Sequence, residues 1–93
     1  MSDEFQIAET NTFRKGLEAL SRQRYYKKLT ENVYQRLKSN PYYGPNTKRL
    51  KGELKFTFRY RIGYYRLFYT VDPEKKRVYV LALENRKDSY KKR

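Results

Sequence analysis

The stretch Leu54 to Arg61 constrains this chain more than any other. It reads LKFTFRYR. Leu54, Phe56, Phe58 and Tyr60 alternate with Lys55, Thr57, Arg59 and Arg61. Alternation with period two is the pattern of a strand with one face on a core and the other in water. The first set is therefore predicted to face a core, and the second to carry cations into solvent. Two more strand-like runs follow at once. Ile62-Gly63 leads into Tyr64 to Val71, and Asp72-Pro73-Glu74-Lys75 leads into Arg77 to Asn85, both through turn-forming residues. The prediction is an antiparallel meander with a cationic row on one face.

The residues before the meander supply what covers its apolar face. Phe5-Gln6-Ile7-Ala8 reads as a short first strand. Asn11 or Thr12 is the expected N-cap of a helix. Phe13, Leu17 and Leu20 recur at helical spacing, which carries that helix to about Ser21. Tyr26, Leu29, Val33 and Leu37 form the single apolar stripe of a second helix, with Lys27, Lys28, Glu31, Gln35 and Arg36 off it. Ser39-Asn40-Pro41 ends that helix, because proline keeps the residue before it out of the helical region. Pro41 to Thr47, PYYGPNT, is rich in breakers and reads as a loop. The predicted order is β-α-α-β-β-β, an α+β domain of two layers spanning residues 1–93. Where the first strand pairs, and in which direction, the pattern leaves open.

Charge and composition narrow the chemistry. The chain has 93 residues, 23 of them basic and 10 acidic, a net of +13. From Lys48 onward there are 15 basic and 5 acidic residues, so the predicted meander and tail hold most of the positive field. Such a field favours polyanions: RNA, DNA or an acidic protein. Histidine and cysteine are both absent, which removes the commonest general base, the commonest metal ligand and any thiolate chemistry. No carboxylate cluster replaces them in the meander, so no metal or other cofactor is expected. The 11 tyrosines can complete a thin core while keeping their hydroxyls in water. No apolar run approaches the roughly 18 residues of a membrane span. MSDEFQ lacks an apolar signal segment, and a cytoplasmic protein is expected.

One ordered set of residues resembles the RelE/ParE superfamily, the toxins of bacterial type II toxin–antitoxin systems. The set is Asn40-Pro41, Leu50-Lys51-Gly52, Tyr60-Arg61-Ile62-Gly63-Tyr64-Tyr65-Arg66-Leu67-Phe68-Tyr69, and Asn85-Arg86 with Tyr90 beyond. The likeness covers nearly the whole chain. It implies the two-layer RelE-like fold and a ribosome-dependent mRNA endonuclease that cuts in the A site, where the ribose 2′-hydroxyl attacks the adjacent phosphate. It implies two further partners besides mRNA: the ribosome with its RNA, and an acidic cognate antitoxin. The same scaffold also serves gyrase-inhibiting toxins. A plain RNA- or DNA-binding module and a structural ribosome-associated protein are the remaining alternatives.

The resemblance also implies a site. Arg66 matches the arginine of the Gly-Tyr-Arg-like motif, and its planar fork suits the charge that builds on a pentavalent phosphate. Arg86 matches a second arginine near the scissile phosphate or leaving group. Arg59 matches a basic strand position, and Tyr90 a C-terminal tyrosine that contacts or activates the substrate. Arg61 is expected to hold RNA backbone, and Lys48, Arg49, Lys51 and Lys55 to dock on ribosomal RNA. Thr57 stands where some relatives carry lysine, and Arg59 is a poor base because a guanidinium holds its proton tightly. Glu53 is the nearest carboxylate in sequence, but it matches no motif residue and reads as solvated. The general base is left without an owner.

Overall fold

A computed structural model of the chain describes residues 4–17, 25–50 and 57–85. Strand β1 is Gln6–Glu9 and helix α1 is Asn11–Gly16. Helix α2 (residues 25–39) is composite: 25–28 are α-helical, Leu29–Val33 form a π turn, and Tyr34–Ser39 return to α. Strands β2 (Thr47–Arg49), β3 (Thr57–Ile62), β4 (Tyr65–Asp72) and β5 (Arg77–Asn85) follow. They form one sheet in the order β1-β5-β4-β3-β2. The meander β3-β4-β5 is antiparallel, as the alternation predicts.

Two features extend the expected sheet. Strand β1 pairs with β5 in parallel, so the sheet is mixed. A three-residue strand, β2, adds to the outer edge of β3, in and just after the stretch that reads as a loop. It is too short to show any alternation of its own. The N-cap of α1 is Thr10 rather than Asn11 or Thr12: the Thr10 hydroxyl accepts from the Phe13 amide at 3.2 Å and donates to the Val80 carbonyl at 2.7 Å. One threonine thus starts the helix and ties it to β5. Ser21, like Leu54 and Phe56, lies outside the described residues.

Both helices pack on one face of the sheet. Phe13 of α1 and Leu29, Val33 and Leu37 of α2 are buried against Phe58, Tyr60, Leu67, Tyr69, Val78 and Val80. Phe58 and Tyr69 are neighbours across the β3–β4 ladder with rings stacked at 5.5 Å. The Tyr69 hydroxyl donates to the Pro41 carbonyl at 2.7 Å, which fastens the end of α2 to the middle of the sheet. Burial pushes the Tyr69 phenol pKa upward.

Two irregularities set which side chains face which way. Phe68 stands opposite Ala82, but Tyr69 stands opposite Val80, so Leu81 is an extra residue in β5. This bulge reverses the alternation. Val78 and Val80 face the helices before it, and Leu83 does so after it. In α2 the irregularity is the π turn, in which the Tyr34 amide donates to the Leu29 carbonyl five residues back. In an unbroken α-helix residues eight apart sit roughly 80° out of line, at about 100° per residue. The extra residue in the π turn brings Tyr26 and Tyr34 to one side. Both hydroxyls donate to Oε2 of Glu9, each at 2.9 Å.

Candidate functional site

The face of the sheet away from the helices is built in cross-strand rows. Residues directly opposite each other in a ladder share a face. Arg61 of β3 stands opposite Arg66 of β4, which stands opposite Glu84 of β5. The next row is Lys48, Arg59, Phe68 and Ala82, and the one beyond it contains Thr57, Thr70 and Tyr79. Four cations from three neighbouring strands therefore lie side by side on the outer face.

The β3–β4 hairpin brings the arginines together. Ile62 and Tyr65 close it, with Gly63 and Tyr64 at the tip, one residue later than the expected Ile62-Gly63 turn. Gly63 has φ +60°, which suits the first central position of a type II′ turn and which glycine adopts without steric cost. Such a turn matches the twist of the two strands, so Arg61 and Arg66 are held at the same level. Below the tip, Tyr25 of α2 packs on Tyr65 with ring centroids 4.4 Å apart. A cleft of about 80 Å³ lies here, lined by Arg59, Arg61, Gly63, Tyr65 and Arg66. It is far smaller than the ~300–1,000 Å³ of typical small-molecule pockets, and fits an oxyanion rather than a whole nucleotide. Arg59 and Arg66 are half-buried and Arg61 is exposed, so the charge is partly shielded from water on its inner side.

A larger hollow of about 830 Å³ lies on the helix side of the sheet, against Phe5, Glu9, Arg14, Tyr26 and Tyr34. The Glu9 carboxylate there accepts from Tyr26 and Tyr34. Burial, and then the hydrogen bond to Glu9 and its negative charge, push both phenols above their ordinary pKa. They are donors locked in place. The hollow holds no concentration of cations, and the smaller arginine cleft is the better candidate.

The structure brings together Arg59, Arg61, Arg66 and Lys48 of the expected site residues. Arg49 is in register with the core residue Phe58, so it belongs to the opposite side of the strand from that row. Lys51, Lys55, Arg86 and Tyr90 lie outside the described residues, as does Glu53. Thr57 is buried rather than solvated. It stands opposite Thr70 in the β3–β4 ladder. Glu84 is the residue that plain alternation misplaces. Counted by twos from Val78 it falls on the core side, and only the bulge at Leu81 moves it into the row of Arg66.

Residues 7–90 match the family model described as the ParE toxin of the type II toxin–antitoxin system, parDE. No curated protein sequence matches the chain. Among solved structures, the RelBE2 toxin–antitoxin complex of Mycobacterium tuberculosis contains a chain that is 31% identical, with a TM-score of 0.73 over 89% of this chain and 99% of that one. The RelE–RelB complex of Pyrococcus horikoshii gives 24% identity and a TM-score of 0.68, covering 89% and 96%. A mutant of Escherichia coli RelE in the free state gives 20% identity and a TM-score of 0.66, covering 94% and 88%. The last two likenesses are of fold.

Proposed function

The chain belongs to the ParE toxin family, within the RelE/ParE superfamily of type II toxins, and on that premise we propose that it is an mRNA endonuclease acting on the ribosome. The observation that carries this reading is the cleft between Arg59, Arg61 and Arg66. Three guanidinium groups around a space of phosphate size can hold a phosphodiester and take up the charge that builds on its non-bridging oxygens. Arg66 is the transition-state donor, because it sits in the middle strand with Arg61 beside it. Arg59 completes the cleft and Lys48 extends the positive row for backbone contacts; by the resemblance, Arg86 serves the scissile phosphate or leaving group and Tyr90 contacts or activates the substrate. The 2′-oxygen attacks the phosphate, the bond to the 5′-oxygen breaks, and the products are a 2′,3′-cyclic phosphate and a 5′-hydroxyl.

Partners follow from the same surface. The outer face meets mRNA and ribosomal RNA, and an acidic antitoxin neutralises the toxin. The cleft holds a phosphate but offers no deep base pocket, so the ribosome supplies the substrate geometry. The purified chain should therefore cut mRNA in programmed ribosomes and leave the same RNA nearly intact when free. New 3′ ends should carry a cyclic phosphate. Efficient, sequence-specific cutting of naked RNA, or 3′-hydroxyl ends, would overturn the reading.

A second reading has its own support. The family model that matches is that of ParE toxins, and gyrase inhibition is the other activity the superfamily resemblance implies. Cells that express the chain would then show DNA damage before translation stops. Under the nuclease reading translation stops first.

A further inference from the structure

The cleavage reading leaves one task without a residue: removal of the proton from the attacking 2′-hydroxyl. Arginines cannot do it, because they stay protonated at every relevant pH. The chain has no histidine and no cysteine. Among the described residues, the carboxylates are scattered. Glu9 accepts from Tyr26 and Tyr34 on the helix side. Glu31 is on the exposed face of α2. Asp72 caps the β4–β5 turn by accepting from the Glu74 and Lys75 amides, at the far end of the ladder from Arg66. Glu84 alone of these shares a row with the arginines.

From this register we infer that Glu84 is the general base of the reaction. Opposite residues of an antiparallel pair have Cβ atoms about 4.5–5.5 Å apart. A carboxylate on that stem reaches the ribose next to a phosphate held by Arg66. The bulge at Leu81 supports the assignment independently. Without it, the alternation that buries Val78 and Val80 would carry Ala82 and Glu84 to the core side, where an unpaired carboxylate is not tolerated. The bulge turns Glu84 outward, where it is exposed. Bulges beside active sites commonly re-aim a side chain in this way.

The step balances. Glu84 takes the 2′-hydroxyl proton as the 2′-oxygen bonds to phosphorus. The bond from phosphorus to the 5′-oxygen breaks with its electron pair on that oxygen, which takes a proton from water. Glu84 then returns its proton to solvent. Arg66 and Arg61 hold the non-bridging oxygens throughout.

The inference rests on the cleavage reading, and one experiment separates the two. Single-turnover cleavage is measured at saturating toxin on programmed ribosomes, across pH, for wild type, Glu84→Gln and Glu84→Asp. Glu84 is exposed, so both variants fold. Glu84→Gln should cut about 10²–10⁴-fold more slowly, bind ribosomes as wild type does, and lose the acid limb of the pH–rate profile. Among the described residues, the charged groups in its row on the neighbouring strands are Arg66 and, beyond it, Arg61. Glu84→Asp should recover part of the rate and the limb. A Glu84→Gln variant that cuts at the wild-type rate overturns the inference alone. So does a slow one that keeps the acid limb, since Glu84 would then act only by positioning Arg66. A wild-type toxin that cuts nothing overturns the cleavage reading and this inference with it.

Discussion

Arg66 and Arg49 are both strand arginines of one sheet, yet their registers give them different work. Arg66 lines the cleft, between Arg61 and Glu84. Arg49 is opposite the buried Phe58 and off the row. A donor aimed at oxygens that gain charge in the transition state affects the chemical step more than binding. Arg66→Ala is therefore expected to keep ribosome affinity and to lose on the order of 10²–10³ in single-turnover rate. Arg66→Lys should recover little, because a point charge does not replace the two-pronged donor. Arg49→Ala should leave saturated cleavage unchanged. Lys48→Ala should weaken binding without slowing the saturated step. A near-normal rate for Arg66→Ala in this assay would remove the transition-state role from the arginine cleft.

At the scale of elements, regular alternation was legible and its interruptions were not. In β3 the period-two pattern puts Phe58 and Tyr60 on the core and Arg59 and Arg61 away from it, and the structure agrees; in β4 it buries Leu67 and Tyr69 and leaves Arg66 half-buried on the other face. Phe58→Asp should accordingly unfold the domain, seen as loss of the cooperative thermal transition, because an unpaired charge would sit against Tyr69. Val78 to Leu83 are apolar at every position, so no polar–apolar alternation marks Leu81 as the extra residue. That is why the arginines of the site were readable and Glu84 was not. The π turn was hidden in the same way: Tyr26, Leu29, Val33 and Leu37 fit an ordinary helix, and only the fold shows Tyr26 and Tyr34 converging on Glu9. Tyr34 carries a testable consequence. Burial first, then Glu9, holds its pKa well above the ordinary value of about 10. Burial does the same for Tyr69. The folded state thus holds these phenol protons more tightly than the unfolded chain. The stability they contribute is complete below the unfolded pKa and is lost as pH rises above it toward the folded values. Denaturation on either side of about pH 10 should show a steep alkaline loss of stability. In Tyr34→Phe that loss should be shallower, and stability at neutral pH should fall by about 1–3 kcal/mol as the hydrogen bond to the carboxylate is removed. An unchanged alkaline slope in Tyr34→Phe would show that its hydroxyl is not among the groups that titrate on unfolding.

For the whole molecule, the two layers divide two kinds of work. The helices and the core face of the sheet carry stability, and the outer face carries charge. The net of +13 is large for 93 residues. Lys48, Arg59, Arg61 and Arg66 gather in two adjacent rows rather than spreading evenly. A concentrated field of one sign raises the encounter rate with an oppositely charged partner, and that gain is screened by salt over a Debye length of about 8 Å at physiological ionic strength. The acidic antitoxin proposed here should therefore associate with a rate constant that falls steeply as salt is added, while its dissociation rate changes little. Lys48→Glu tests the placement as well as the sign. Lys48 is exposed and belongs to the charged row, so its reversal should slow association and flatten the salt dependence. Reversing an exposed cation on the helix side, such as Lys27, changes the net charge equally and should do less. Stopped-flow association over a salt series decides it. An on-rate indifferent to salt would show that charge does not steer the antitoxin. Equal effects of Lys48→Glu and Lys27→Glu would show that net charge matters and the outer face does not.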